Sequence, residues 1–141
     1  MRLAGFHFTK IAIEKKSNEL EKAQIDTNIK ILNIEDLKSE AVKKNEQLLD
    51  VSFDYTINYK EDIAKVEFKG NLLVIVDSKK GKEILEQWKS KKLPEDVQMS
   101  LINVIIKKSN VKALNLEEEV KLPYHLPLPG VKKEQQKPKK Q

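Results

Sequence analysis

LDVSFDYTINY, residues 49–59, carries apolar or aromatic side chains on the odd positions and polar side chains on the even positions. Successive side chains of a β-strand point to opposite faces of its sheet. This period of two therefore predicts one long strand with a buried face and a solvent-facing face. We expect an antiparallel sheet with one face left for helices to cover. The pattern carries no information about chemistry.

Two strands are predicted before this one. In Gly5–Lys16 the apolar side chains change phase between Phe8 and Ile11, a switch that is typical of a β-bulge. Residues 25–31 alternate again and predict the second strand. Beyond them the pattern is irregular, and it leaves open whether the strand continues to Leu37 or turns out into a charged loop.

The third strand is predicted over Gln47–Lys60, followed by a turn at residues 60–62. Ala64–Val76 then has apolar side chains on the even positions and predicts a fourth strand. Gly70 lies on its apolar face, which marks a bend or the close approach of another element. From Leu72 to Val76 both faces are apolar, so a helix or a second subunit is expected to cover the outer side there.

After the fourth strand the period changes to that of a helix. Asp77 or Ser78 can cap this helix by accepting backbone N–H bonds, and the helix is expected to end near Lys91. Its apolar face consists of Ile84, Leu85 and Trp88.

A second helix is predicted to start at residues 93–96, LPED, with Pro94 at the first helical position and two acidic residues facing the positive end of the helix dipole. Ser109–Asn110 offers a break, after which Val111–Leu122 would resume a weaker helix. The predicted face consists of Val97, Leu101, Val104, Ile105 and Lys108, widened by Met99, Ile102 and Ile106. A helix this broadly apolar is expected to be covered on more than one side.

The C-terminal segment closes the fold. Residues 122–131, LPYHLPLPGV, contain three prolines and predict an extended, polyproline-like segment whose leucines lie along a groove of the body. Residues 132–141 are expected to be disordered. Because strands precede helices, the fold class is α+β, a four-stranded antiparallel sheet with two or three helices packed on one face. Residues 1–131 are expected to form a single domain.

The net charge of +5 is concentrated at the C-terminus. Residues 132–141 hold five of the 27 basic residues and one of the 22 acidic residues, which leaves 22 basic and 21 acidic residues in the rest of the chain. The basic tail consists of Lys132, Lys133, Lys137, Lys139 and Lys140. A tail of this kind can contact RNA or another acidic surface without sequence specificity.

The composition also limits the function classes. The chain has no cysteine, which excludes disulfides, thiolate zinc sites and a cysteine nucleophile and fits a reducing compartment. Its longest unbroken apolar run, Leu72–Val76, is far shorter than the about 20 residues that cross a bilayer. The N-terminus lacks the pattern of a signal peptide. We therefore expect a cytoplasmic protein without membrane insertion.

Catalytic chemistry is not indicated. His7 and His125 are the two histidines, and they are interpreted as an ordinary strand residue and an ordinary loop residue. Glu117–Glu119 is interpreted as a solvated helix face. No nucleophile, base and oxyanion donor occur together, so we expect no enzyme, no cofactor and no metal. The aromatic side chains fall on the buried phase of their strands, which favours a core role over base stacking.

The order of the elements resembles the SecB export-chaperone fold, in which four antiparallel strands precede a long apolar helix and a last helix. Leu93-Pro94-Glu95 at a helix start, with Leu122-Pro123 and Leu126–Pro129 near the end, resembles a group of small, uncharacterised archaeal proteins with a SecB-like fold. This narrower resemblance covers roughly residues 6–131.

The resemblance implies a homo-oligomeric holdase, a dimer or tetramer, that works without ATP. In that family, grooves between sheet and helix bind unfolded segments of other polypeptides through apolar and main-chain contacts. The residues that could flank such a groove here are Trp88, Met99, Tyr124 and Leu126. Two alternatives are a ribosome- or RNA-associated accessory protein anchored by the basic tail, and a structural subunit whose excess apolar surface a fixed partner covers.

Overall fold

The computed structural model describes residues 1–17, 24–40 and 42–127, and the basic tail and residues 128–131 lie outside this part. The strands are β1 (Arg2–Lys15), β2 (Ile25–Leu37), β3 (Glu46–Tyr59) and β4 (Ala64–Asp77), and the helices are α1 (Ser78–Trp88) and α2 (Glu95–Glu119). A single turn of 3₁₀ helix, Lys60–Asp62, connects β3 to β4.

The four strands form one antiparallel sheet in the order β1-β4-β3-β2, and both helices pack on one face of it. This confirms the predicted α+β class. The odd positions of β3 and the even positions of β4 form the centre of the core, where the stacked rings of Tyr55 and Phe68 lie 5.5 Å apart. In residues 49–59 the apolar odd positions thus lie on the face that the helices cover, and the polar even positions lie on the open face.

Both edge strands contain a β-bulge. In β1 the register shifts between Phe8 and Lys10, where the sequence predicted a change of phase. A second shift lies between Leu3 and Gly5. β2 continues to Leu37, the first of the two alternatives, with a shift that leaves Leu32 as an extra residue. Side chains alternate between the two faces of a sheet, so one extra residue moves all later side chains to the other face. The shifts therefore keep the apolar side chains of both strands on the covered face, although their positions in the sequence change between even and odd.

Gly70 lies at a close approach between two strands, one of the two possibilities that the sequence left open. A β-carbon at this position would overlap the main-chain oxygen of His7 in β1 and would lie 2.9 Å from a ring carbon of Phe53. The missing side chain is therefore what allows β1 and the Phe53 ring to occupy their positions.

Helix α1 begins and ends at defined caps. The carboxylate of Asp77 accepts a 2.8 Å hydrogen bond from the Lys80 backbone N–H, which confirms the predicted N-cap. At the other end Lys91 has a φ of 57°, and the Lys92 N–H donates to the carbonyl of Gln87 at 3.1 Å. This is the Schellman arrangement, in which a left-handed residue after the helix satisfies its last carbonyls.

Helix α2 is continuous over 25 residues, so the predicted break at Ser109–Asn110 is wrong, and the described residues contain two α-helices, one of the two predicted numbers. Ser109 is buried, whereas Lys108 is exposed and does not belong to the inner face. Pro94 was predicted as the first residue of the helix, but it is the N-cap, and the helix begins at Glu95. The buried residues recur at every fourth position, Val97, Leu101, Ile105, Ser109, Ala113 and Glu117. Because one turn has about 3.6 residues, this stripe winds slowly around the helix as it crosses the sheet.

Some of the excess apolar surface remains uncovered within one chain. Met99 and Val111 on α2 are 59% and 64% exposed. On the open face of the sheet, Leu73 and Ile75 at the end of β4 are half-buried. Neither α1 nor α2 covers that corner, since both lie on the opposite face.

Candidate peptide-binding grooves

A groove of about 540 Å³ lies between the edge strand β2 and the two helices. We call it the β2-side groove. Its floor is formed by Ile29 and Ile31, which point from β2 toward the helices, and its walls come from α1, α2 and the loop between them. The residues that line it are Ile29, Ile31, Trp88, Lys91, Lys92, Leu93, Gln98 and Ile102.

A second groove, of about 480 Å³, lies on the other flank of α2, over β1 and β4. We call it the β1-side groove. Its apolar lining includes the exposed Leu3 and the buried Val74 and Val97. Three charged residues line it as well, and the ammonium of Lys80 lies 3.3 Å from a carboxylate oxygen of Asp96. The one lysine side chain of this groove is therefore already paired within the chain.

Trp88 is the aromatic wall of the β2-side groove. Its indole N–H donates to the side-chain oxygen of Asn33 on β2 over 3.4 Å, which ties the ring to the edge strand. The ammonium of Lys91 lies 4.7 Å from the ring centre on a face of the indole, a cation–π contact. The ring is half-buried, so part of it remains open to the groove.

The other three residues proposed from the sequence lie elsewhere. Met99, Tyr124 and Leu126 do not belong to the lining of either groove, and all three are exposed. Met99 is on the outward side of α2, between residues that line the two grooves. Tyr124 and Leu126 follow the C-terminal end of α2, where the Tyr124 hydroxyl donates to Glu118 at 3.1 Å. The sequence missed Ile29 and Ile31, although their alternation marked them as inward-facing.

A buried polar cluster fixes the C-terminal segment to the sheet, and it corrects the interpretation of Glu117 as solvated. The side chains of Glu117 and His125 are 0% and 1% exposed, and His125 Nδ1 lies 3.0 Å from Glu117 Oε2. The Tyr59 hydroxyl lies 2.9 Å from the same oxygen and 2.6 Å from the carbonyl of Pro123. Glu118 and Glu119 are exposed, as expected for a helix surface.

The other side of the His125 ring completes the cluster. His125 Nε2 lies 3.0 Å from the side-chain oxygen of Asn110, to which the Tyr55 hydroxyl donates at 2.6 Å. Both ring nitrogens thus have polar neighbours, the Glu117 carboxylate at Nδ1 and the Asn110 side-chain oxygen with the Tyr55 hydroxyl at Nε2. His125 is therefore a structural partner of the helix rather than an ordinary loop residue. Leu122, at the start of the segment, is buried against the core.

The cluster predicts an alkaline limit to stability. Burial, together with the negative charge of Glu117, raises the pKa of both Tyr55 and Tyr59 above the ordinary value of 10.0. Above pH 10 the unfolded chain loses these protons and the folded chain keeps them. The contribution of these two tyrosines to the free energy of unfolding should therefore be constant below pH 10 and decrease as the pH rises further. Urea unfolding between pH 8 and pH 12 measures this decrease in stability.

The matched variant is Tyr55→Phe, which removes one of the two titrating groups. Its stability at neutral pH should be lower, because a buried hydroxyl and its hydrogen bond to Asn110 are lost. Its decline above pH 10 should be less steep than that of the parent chain. An equal slope in both proteins would contradict the assignment.

His7 and His125 do not meet in a metal site. His7 is exposed on β1, opposite Asn71 of β4. Within residues 1–17, 24–40 and 42–127, no group of three or more histidine and carboxylate side chains is arranged to hold a metal ion. In the same part of the chain, no helix is long and apolar enough to cross a membrane.

The architecture matches a solved structure of a SecB-like chaperone from Mycobacterium tuberculosis, Rv1957, in complex with a ChAD peptide from the HigA1 antitoxin. The match covers 94% of this chain and 91% of the other, with a TM-score of 0.50 and 9% sequence identity. The fold is SecB-like. No protein-family model matches the sequence, and no curated protein sequence matches it either. At this identity the likeness concerns the fold alone.

Proposed function

We propose that this protein is a cytoplasmic, non-enzymatic holdase that binds exposed apolar segments of unfolded or partner polypeptides in the grooves beside α2. The observation that carries the proposal is the β2-side groove, where the edge strand and both helices leave Ile31, Trp88 and Ile102 accessible around about 540 Å³. The SecB-like neighbour was solved with a peptide, which supports a polypeptide as the occupant.

The physical basis is burial of apolar surface on both partners. Each square ångström removed from water contributes about 25 cal/mol, without regard to the sequence of the client. β2 is an edge strand, so its outward main-chain N–H and C=O groups are available to an extended segment laid beside it. Apolar contacts and main-chain hydrogen bonds together suit clients of varied sequence.

The proposal includes a homo-oligomer, a dimer or a tetramer. The outward side of α2, with Met99 and Val111, and the open corner of the sheet, with Leu73 and Ile75, are the uncovered apolar surfaces that support it. Several grooves in one particle would engage one long client at several places and raise its avidity. Met99, Tyr124 and Leu126 remain proposed client contacts outside the two grooves.

The full-length protein is expected to suppress the aggregation of a client diluted from denaturant, at low and at high salt. Apolar burial is insensitive to salt screening, whereas binding through the basic tail would weaken steeply as salt rises. Light scattering measures the suppression, and the particle mass is measured on the same sample. Suppression that disappears at high salt would contradict the proposal and favour the ribosome- or RNA-associated alternative.

A pair of variants localises the activity. Ile102→Ser removes an apolar wall of the β2-side groove, and we expect about five- to tenfold weaker client binding from the lost contact. Ile106→Ser makes the same change one turn further along α2, at a position that is half-buried like Ile102 and lines neither groove. It should leave client binding unchanged. Equal losses in both variants would place the client elsewhere.

A further inference from the structure

We propose that the β2-side groove selects apolar segments that are flanked by acidic residues. The inference rests on the proposed function and names its class of client. Two lysines, Lys91 and Lys92, stand among the lining residues, and no aspartate or glutamate does. The preferred occupant is therefore an apolar stretch of another polypeptide with acidic residues beside it.

The two cations have no carboxylate partner within the described residues. Neither Lys91 nor Lys92 takes part in an ion pair there, and the ammonium of Lys91 lies on the Trp88 ring. By contrast, Lys89 just before them is 3.3 Å from Glu86. Two exposed ammonium groups beside an apolar floor provide a positive rim that an acidic flank can pair with.

The backbone holds the first of these cations in place. Lys91 occupies the left-handed position of the Schellman turn, where glycine is the residue without steric cost. Its N–H donates to the Trp88 carbonyl at 2.8 Å, so the turn that ends α1 also positions Lys91 beside its own aromatic partner. The turn therefore places Lys91 beside the groove, where its ammonium contacts the Trp88 ring.

The β1-side groove provides the contrast. There Lys80 lies 3.3 Å from Asp96 and 3.5 Å from Glu83, so its charge is already paired within the chain. An acidic client would gain little from it. The selectivity is thus expected in one groove only. The lysine-rich residues 132–141 of this chain have the wrong charge to occupy the β2-side groove.

The test uses the full-length protein and three fluorescent peptides with one common apolar core, flanked by glutamates, glutamines or lysines. Anisotropy should show the glutamate-flanked peptide binding about tenfold more tightly than the lysine-flanked peptide at low salt, with the glutamine-flanked peptide between them. At high salt the three affinities should converge on a common value set by the apolar core.

Charge reversal provides the matched control. In Lys91→Glu/Lys92→Glu the order of the three peptides should invert. Lys82→Glu/Lys121→Glu changes the net charge by the same amount, and Lys121 has the same left-handed conformation, with a φ of 59°, after α2. Neither control residue lines the groove, so the original order should persist. Circular dichroism verifies that both variants are folded.

The outcomes separate the two claims. Equal binding of all three peptides by the parent protein would overturn the charge selectivity and leave the holdase proposal standing. No binding of any peptide would overturn both. An inversion in the control pair would assign the preference to net charge. If single-stranded RNA displaces the glutamate-flanked peptide from the parent protein but does not displace the lysine-flanked peptide from Lys91→Glu/Lys92→Glu, the groove serves nucleic acid instead.

Discussion

Glu117→Ala should destabilise the fold by about 2–6 kcal/mol, because two buried polar groups lose the carboxylate they share, at about 1–3 kcal/mol each. The carboxylate is fully buried and lies 3.0 Å from His125 Nδ1 and 2.9 Å from the Tyr59 hydroxyl. Its removal leaves both groups in a dry interior without that partner. Because small domains are stable by only about 5–15 kcal/mol, urea unfolding should show a large loss.

Glu119→Ala is the control, since this residue is two positions further along α2 and exposed. It should change the free energy of unfolding by less than about 0.5 kcal/mol. If Glu119→Ala costs as much as Glu117→Ala, the effect comes from helix propensity or the overall charge and not from the cluster.

Glu117→Gln separates charge from shape. The amide can still accept from Tyr59 but meets His125 Nδ1 without a negative charge, so we expect a loss between those of the control and of the alanine variant. A double-mutant cycle with His125→Ala measures the coupling between the two side chains. A coupling near zero would mean that Glu117 acts through Tyr59 alone.

The strands were predictable because the alternation of apolar and polar side chains within each strand is enough to identify it. The alternation in residues 49–59 and 64–76 depends only on which face is covered, and a single sheet with helices on one face accounts for both. That α2 is one continuous helix was harder to predict from the sequence. Ser109 and Asn110 are poor helix formers by propensity, but the contact of Asn110 with Tyr55 and His125 and the core packing of α2 on either side of them outweigh it.

Glu117 could not be distinguished from its two neighbours by sequence, because all three are glutamates in one helix. The available signal lay in other residues. Tyr55 and Tyr59 were placed on the buried phase of β3, and a buried tyrosine hydroxyl requires a hydrogen-bond partner. That requirement predicts an inward-facing polar group on the covering element, although it does not say which one.

The sequence identified some residues of the groove but not others, because the orientation of a side chain depends on how its helix packs. Trp88 was predicted as a groove residue, and the structure places it in the lining of the β2-side groove. Met99 was selected for its chemistry, but one step along a helix turns a side chain by about 100°, so Gln98 and Ser100 line the two grooves and Met99 points outward. Client contact by Met99 stays a prediction.

Gly70→Ala should cost about 3 kcal/mol, the upper part of the range for overpacking a close-packed interior. The added β-carbon would overlap the His7 main-chain oxygen and lie 2.9 Å from the Phe53 ring. A backbone oxygen in the middle of a paired strand can give way only if β1 moves away from β4. Urea unfolding should show the loss, and hydrogen exchange should increase along β1 first.

Gly5→Ala is the matched substitution on the facing strand. There the nearest atom to an added β-carbon would be a side-chain carbon of Leu73 at 3.5 Å, an ordinary contact. Gly5 has no positive φ, so alanine should be neutral or stabilise the protein by up to about 1 kcal/mol through the unfolded state. Opposite signs for the two substitutions would show that β1 approaches β4 closely at one point only. Since β1 also contributes Leu3 to the β1-side groove, Gly70→Ala should impair that groove while the β2-side groove keeps its affinity for clients.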